Sequence, residues 1–157
     1  MSFGDAIGEC FFNYANFRDR AARSEYWWWA LFATVVCLLA WLLDLVVFSG
    51  FSVSPFLLVV YLAFLLPGLS VTVRRLHDTG RSGWWLLVPL GSAVLVAVVS
   101  VVAAITNPQG QQSTATLLLV GIPTIVSIGT SVLLLIWMAL PSIPGNNHYG
   151  PNRYAGA

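Results

Sequence analysis

The stretch from Trp27 to Phe48 reads WWWALFATVVCLLAWLLDLVVF, and Asp44 is its only formally charged residue. A helix of about 20 predominantly apolar residues is long enough to cross the hydrocarbon core of a bilayer. A helix is favoured over a strand because lipid offers no hydrogen-bond partner to the edge of an open sheet. The stretch therefore predicts a transmembrane helix.

Three further stretches have the same character and contain no charged residue. They run approximately from Pro55 to Val73, from Trp84 to Ile105 and from Leu117 to Leu140. Over the 157 residues, 58% are hydrophobic and 8% are charged, whereas an ordinary soluble domain carries about 25% charged residues. The predicted fold is therefore all-α, an integral membrane four-helix bundle in a single domain covering residues 1–157, with residues 141–157 as its tail.

Residues 1–23 precede the first span and predict an amphipathic helix followed by a basic segment. Apolar residues recur there at three- and four-residue steps, namely Phe3, Ala6, Ile7, Cys10, Phe11, Tyr14 and Phe17. Ser2 and Asp5 have the spacing of a capping box at the start of this helix. Its apolar face is expected either in the headgroup region or against the bundle, where it would pack on the other cytoplasmic segments. The acidic polar face favours the second arrangement, because helices that bind anionic lipid by charge usually carry Lys and Arg.

All seven basic residues are arginines, and their positions predict the orientation of the chain. They are Arg18, Arg20, Arg23, Arg74, Arg75, Arg81 and Arg153. The loops 49–54 and 106–116 contain no charge. Because short loops with basic residues stay on the cytoplasmic side, both termini are predicted to be cytoplasmic.

The densest polar segment reads RRLHDTGRSGWW, from Arg74 to Trp85. Asp78-Thr79-Gly80 predicts a turn, in which Gly80 can adopt positive φ, and Ser82 is a suitable N-cap for the third span. A turn does not require a His-Asp step among arginines, however. Two interpretations are open: these arginines only orient the protein, or Asp78 holds some of them in a fixed arrangement that binds an anion.

Three segments together resemble the bacterial family catalogued as domain of unknown function 805, which consists of small inner-membrane proteins. They are Phe17 to Trp27, Arg74 to Trp85 and Gly150 to Tyr154. The resemblance implies a four-helix protein of the bacterial inner membrane and implies no established activity. The same segments supply the candidate site, which is Arg20, Arg23, Glu25, Arg74, Arg75, His77, Asp78, Arg81, Asn152 and Arg153.

The leading hypothesis is a non-enzymatic membrane protein whose Arg, His and Asp cluster organises the bundle and binds an anionic phospholipid headgroup or a partner protein. No cofactor, metal or nucleic acid is expected, and a membrane-protein partner or a homo-oligomer is compatible with the sequence. The main alternative is a small transporter or channel, in which Pro67 and Pro89 break two helices to form a cytoplasmic vestibule. An enzyme acting through Ser82 or His77, and a metal site at His77, Asp78 and His148, have weaker support.

Overall fold

The computed structural model describes residues 1–48, 53–106 and 114–151, and helices are the only regular elements within them. The helices are α1 (Phe3–Phe12), α2 (Arg23–Val47), α3 (Pro55–Asp78), a short 3-10 helix (Gly83–Leu86), α4 (Leu87–Thr106) and α5 (Thr114–Ala139). Four are long and apolar enough to cross a membrane: α2, α3, α5, and α4 together with the 3-10 helix. The prediction of an all-α membrane protein with four spans and an N-terminal helix is confirmed.

One helix end differs from its predicted position. α3 continues to Asp78, one turn beyond the predicted end at Val73, so Arg74, Arg75, His77 and Asp78 are helical rather than part of a loop. The predicted turn follows at Thr79 and Gly80, and Gly80 has φ +73°. Hydropathy alone places the end too early, because the last turn of α3 is polar while its backbone remains helical.

The chain divides into two compact units, which we call unit 1 and unit 2. Unit 1 consists of Met1–Arg81 and Leu140–Ala157, of which residues 152–157 lie outside the described part, and unit 2 consists of Ser82–Ala139. The expectation of a single membrane domain stays a prediction. In unit 2, α4 packs on α5, with the rings of Trp85 and Trp137 edge to face at 5.2 Å.

Unit 1 is built from α1, α2 and α3 around a small core. Its buried members are Cys10, Ala21, Trp29 and Val71. The predicted capping box of Ser2 and Asp5 is present at the start of α1. α1 packs against the bundle, one of the two expected arrangements, and the aromatic partners of Phe3 and Phe11 lie in the spans α2 and α3 rather than in the cytoplasmic segments.

At the other end of unit 1, Asp44 caps a neighbouring helix. Its Oδ1 accepts a hydrogen bond of 3.0 Å from the N–H of Phe56, and its Oδ2 accepts one of 2.9 Å from Leu57. These are among the first N–H groups of α3, which have no partner within their own helix. The carboxylate also lies at the positive end of the helix dipole. Asp44 therefore fixes the α2–α3 connection from the side chain of a preceding helix.

The two prolines of the predicted vestibule occupy different positions in their helices. Pro67 lies inside α3 and is fully buried. Pro89 is the third residue of α4, within the first turn, where a proline is tolerated because the N–H groups of that turn have no helical partner. The carbonyl of Trp85, four residues before it, accepts a hydrogen bond from the N–H of Leu87. Pro89 therefore leaves this carbonyl partnered.

A buried ion cluster at the arginine-bearing end of unit 1

Five of the candidate residues form a cluster of charged side chains that are almost completely buried. They are Arg20, Glu25, Arg74, Arg75 and Asp78, each at most 3% exposed. We call this group the buried ion cluster. The end of unit 1 that contains it, with residues 18–25, 74–81 and 140–150, is called the arginine-bearing end. Because a buried charge without a partner costs several kcal/mol, the pairing within the cluster decides what it can do.

Asp78 is the centre of one half of the cluster. Its Oδ1 accepts a hydrogen bond of 2.9 Å from Nε of Arg20, and Nη2 of Arg20 lies 2.9 Å from the same oxygen. Its Oδ2 accepts hydrogen bonds from Nη1 of Arg75 and from the hydroxyl of Ser142. The carboxylate thus joins the segment before α2, the last turn of α3 and the segment after α5.

The segment after α5 supplies carbonyl oxygens to the same two arginines. Arg20 donates through Nη1 to the carbonyl of Gly145 at 2.8 Å and through Nη2 to that of Ile143 at 2.7 Å. Arg75 donates through Nη2 to the carbonyl of Leu140. Two guanidinium groups share one carboxylate here, and the carbonyl dipoles stabilise the second positive charge.

Glu25 and Arg74 form the other half. Oε1 of Glu25 lies 2.7 Å from Nη1 of Arg74, and Sγ of Cys10 lies 3.8 Å from the same oxygen. Burial, with the negative charge of Glu25 as a smaller cause, raises the pKa of the Cys10 thiol to about 12. The thiol therefore stays protonated at neutral pH and acts as a weak donor to Glu25.

α3 presents two polar stripes to the rest of unit 1, as side chains three and four residues apart share a helix face. The first stripe is Ser70, Arg74 and His77, and the second is Arg75 and Asp78. The first contacts the segment after α1: the hydroxyl of Ser70 lies 2.8 Å and 2.7 Å from the carbonyls of Asn13 and Asn16. The second contacts the segment after α5. The last turns of α3 therefore join the two segments.

The backbone of the same helix end is also satisfied. Gly80 and Arg81 donate N–H groups to the carbonyls of His77 and Leu76, which is the Schellman arrangement that a glycine at positive φ permits. Ala21 donates at 3.1 Å to the carbonyl of Arg74. Ile143 donates at 3.3 Å to that of Asp78.

His77 lies beside the cluster and not within it. Its ring stacks on that of Tyr149 with the centroids 3.9 Å apart, and its carbonyl accepts a hydrogen bond of 2.8 Å from Asn147. A two-histidine, one-carboxylate metal site would need a free Asp78, but both of its oxygens already accept hydrogen bonds from Arg20, Arg75 and Ser142.

The remaining candidate residues differ in exposure. Arg23, the first residue of α2, is exposed, as is Arg18 nearby. Arg81 is half-buried and donates through Nη1 to the carbonyl of Thr79. Ser82 acts as the predicted cap, since its hydroxyl accepts a hydrogen bond from the N–H of Trp84. Asn152 and Arg153 lie outside the described residues.

Sequence reasoning missed three polar partners of the cluster: Ser70, which accepts a hydrogen bond of 3.4 Å from Nε of Arg74, Cys10 and Ser142. They come from an apolar span, an amphipathic helix and a tail, and none of them forms a recognisable motif. For Ser70 alone a signal was present, because it precedes Arg74 by four residues and continues the polar stripe of α3. Such a stripe is detectable only once α3 is extended beyond Val73.

Comparison with known proteins agrees with the architecture. The family described as "Protein of unknown function (DUF805)" matches residues 14–151. The inner membrane protein YhaI of Escherichia coli strain K12 is 42% identical over 76 residues, which cover 48% of this chain and 62% of that protein. The inner membrane protein YhaH of the same strain is 39% identical over 77 residues, covering 48% and 64%.

The chain thus matches less than two thirds of the length of these relatives. No solved structure matches it. The family match, by contrast, includes all five residues of the buried ion cluster and most of the chain. The protein belongs to the DUF805 family of membrane proteins of unknown function.

Proposed function

We propose that this protein is a non-enzymatic membrane scaffold whose buried ion cluster fixes the arginine-bearing end, so that the exposed arginines around it bind anionic phospholipid headgroups. The observation that carries the proposal is the burial of Arg20, Arg74 and Arg75 in contact with acidic side chains. These three buried arginines hold segments of the protein together. Headgroup binding is assigned to Arg18 and Arg23 because they are exposed.

The surroundings of these two arginines suit a lipid interface. Phe17 and Trp27, their neighbours in sequence, are 39% and 44% exposed. Aromatic residues are enriched where a membrane protein meets the headgroups, and a guanidinium group matches phosphate oxygens in a planar fork. The names of YhaI and YhaH support the inner membrane as the location, and the distribution of arginines supports cytoplasmic termini.

A non-enzymatic role is favoured because the two carboxylates of the site are already engaged. Glu25 and Asp78 are fully buried and ion-paired. A general acid or base must reach the proton that it transfers, and a carboxylate enclosed by guanidinium groups does not. Transport has less support, since Pro67 is buried and Pro89 lies in a first turn.

Native mass spectrometry of the full chain in mild detergent tests the headgroup proposal. Phosphatidylglycerol is the anionic probe, and phosphatidylethanolamine serves as the zwitterionic reference. We expect the double variant Arg18→Gln with Arg23→Gln to lose phosphatidylglycerol adducts and to keep the adducts of the reference lipid. Asp5→Asn, which removes an exposed charge of opposite sign from the same unit, is the matched control and should change neither.

Unchanged phosphatidylglycerol retention in the double variant would reject headgroup binding by these arginines. If a co-purifying protein is lost from the double variant while lipid retention is unchanged, the exposed arginines bind a protein partner instead. The scaffold role is tested separately, by the loss of stability expected when the buried ion cluster itself is broken.

A further inference from the structure

Among the described residues of unit 1, none packs against the outer face of α1, and the position of this face relative to the spans indicates what covers it. Ala6 and Cys10 on the inner face are completely buried, whereas Phe12 is 87% exposed. Gly4 and Gly8 lie on the same outer stripe as Phe12, at four-residue steps, and are also exposed. The outer face is therefore open along its whole length and ends in a phenylalanine.

The contacts of the inner side place α1 at the depth of the spans. Phe11 packs edge to face on Phe64 of α3 and on Phe32 of α2, at centroid distances of 6.2 Å and 6.4 Å. Phe64 precedes Arg74 by ten residues, which is about 15 Å along a helix. Phe32 follows Glu25 by seven residues, about 10 Å. The Phe11 flank of α1 consequently lies beside apolar parts of α2 and α3, while Cys10 on its inner face contacts Glu25 of the ion cluster.

Polar groups next to α1 are paired with groups of the same chain, as they must be where water is absent. The hydroxyl of Tyr14 donates at 2.7 Å to the carbonyl of Ala63 on the exposed surface of α3. The carbonyls of Asn13 and Asn16 lie within hydrogen-bonding distance of the buried hydroxyl of Ser70. This local pairing is the expected signature of a segment that enters a leaflet.

The two flanks of α1 have opposite chemistry. Phe3, Ile7 and Phe11 form one flank, which contacts the deep aromatic residues of the spans. Asp5 and Glu9 lie on the opposite flank, four residues apart. A helix lying in the plane of a membrane places its apolar flank toward the acyl chains and its polar flank toward the headgroups. Because this polar flank is acidic, it offers no attraction to anionic lipid, and the placement rests on the apolar flank and its deep contacts. The arrangement fits one orientation in the bilayer.

We propose that α1 is an in-plane helix of the leaflet on the arginine-bearing side, and that lipid acyl chains cover its outer face up to Phe12. This inference is independent of the headgroup binding proposed for Arg18 and Arg23. The acyl chains are contacted by apolar surface at the depth of the spans, and no charge is involved.

Spin labelling in nanodiscs tests the inference. A nitroxide is attached to the full chain at Phe12→Cys or Gly8→Cys on the outer face, and at Asp5→Cys on the acidic flank. The background carries Cys37→Ala, and Cys10 stays unlabelled because it is completely buried. The measurement compares collision of the label with oxygen, which concentrates in lipid, and with a water-soluble nickel chelate.

Oxygen collisions should dominate at residues 8 and 12, and nickel collisions at residue 5. The logarithm of the ratio of oxygen to nickel collision rates should therefore be positive at residues 8 and 12 and negative at residue 5. Dominant nickel collisions at residues 8 and 12 would place the outer face in water and overturn the inference. Low access of both reagents there would also overturn it, because a protein would then cover the face. In that case, dipolar broadening of the nitroxide spectrum by a second nearby label would identify the covering protein as another copy of this chain.

Discussion

The hydroxyl of Tyr14 donates a hydrogen bond of 2.7 Å to the carbonyl of Ala63, the carbonyl that Pro67 leaves without its helical partner. In an α-helix this carbonyl would accept from the N–H four residues later, but proline has no N–H. In an apolar span an unpaired carbonyl is costly. The break in α3 thereby becomes an attachment point for the segment that follows α1.

A double-mutant cycle on Tyr14 and Pro67 tests this relationship. In the wild-type background, Tyr14→Phe should lower the free energy of unfolding by about 1–3 kcal/mol, because it leaves a carbonyl of an apolar span without a partner. In the Pro67→Ala background an N–H is restored to that carbonyl, and the same change should cost less. SDS titration of the detergent-solubilised protein supplies the four free energies. Equal costs in the two backgrounds would show that Pro67 and Tyr14 are not coupled.

Asp44 should contribute to stability through its cap on α3. Replacing a capping side chain with alanine typically costs about 0.5–2 kcal/mol, so Asp44→Ala should lower the midpoint temperature of unfolding followed by circular dichroism. Asp44→Asn keeps one acceptor oxygen for the N–H groups of Phe56 and Leu57 and should cost less. The cap would be unimportant if both variants unfolded at the wild-type temperature.

The spans were predictable because hydropathy is a local property, which can be determined from the sequence without knowledge of the tertiary structure. Trp27 to Phe48 is recognisable as a span from its own residues, and the structure places α2 there. The cytoplasmic location of both termini, which was inferred from the number of arginines in each loop, stays a prediction. The turn at Gly80 was also predictable, since glycine at positive φ has a local cause.

The pairing within the site was not predictable in the same way. The sequence places Arg20 and Asp78 in different segments, and only tertiary structure brings them together. Asp44 was recognised only as the one charged residue of its stretch, whereas its partners are backbone N–H groups, which carry no sequence signal. The arginines were expected to contact lipid, yet three of them are buried, because a charge count does not distinguish an exposed guanidinium from a paired one.

Arg20 and Arg18 form a matched pair for testing the buried ion cluster. Arg20→Gln leaves Asp78 paired with Arg75, so the expected cost comes from the lost hydrogen bonds of the guanidinium to Asp78 and to the carbonyls of Ile143 and Gly145. Because a hydrogen bond to a charged group contributes about 1.5–3 kcal/mol, we expect a loss of at least that size. Arg18→Gln changes an exposed side chain two residues away and should stay within about 0.5 kcal/mol of wild type.

The free energy of unfolding in detergent, measured by SDS titration, decides between these outcomes. Similar small effects for Arg20→Gln and Arg18→Gln would contradict the structural role of the cluster. A large loss of stability for Arg18→Gln alone would show that exposed arginines, rather than the buried ion cluster, stabilise this end of the protein. Neither result bears on headgroup binding, which is read from the lipid adducts.

A comparison of the Gly80→Ala and Gly145→Ala variants separates the cost of backbone strain from the cost of a side-chain contact. Both have positive φ, +73° and +76°, but a Cβ at residue 80 would lie 2.7 Å from Cδ1 of Ile143, whereas one at residue 145 would meet nothing within 4 Å. An alanine in the left-handed region costs about 1–2 kcal/mol, so Gly145→Ala should show that cost alone. Gly80→Ala should cost somewhat more, because the end of the Ile143 side chain must also move aside.

Adding Ile143→Val to Gly80→Ala removes the Cδ1 atom. The double variant should regain the part of the unfolding free energy lost to this contact and keep only the loss due to backbone strain. The comparison needs Ile143→Val alone as a reference, since the shorter side chain has its own effect on packing. Unfolding free energies for these variants and Gly145→Ala form a complete set. If Gly80→Ala and Gly145→Ala cost the same, or if Ile143→Val gives no recovery, the turn after α3 does not pack against the segment after α5 through this contact.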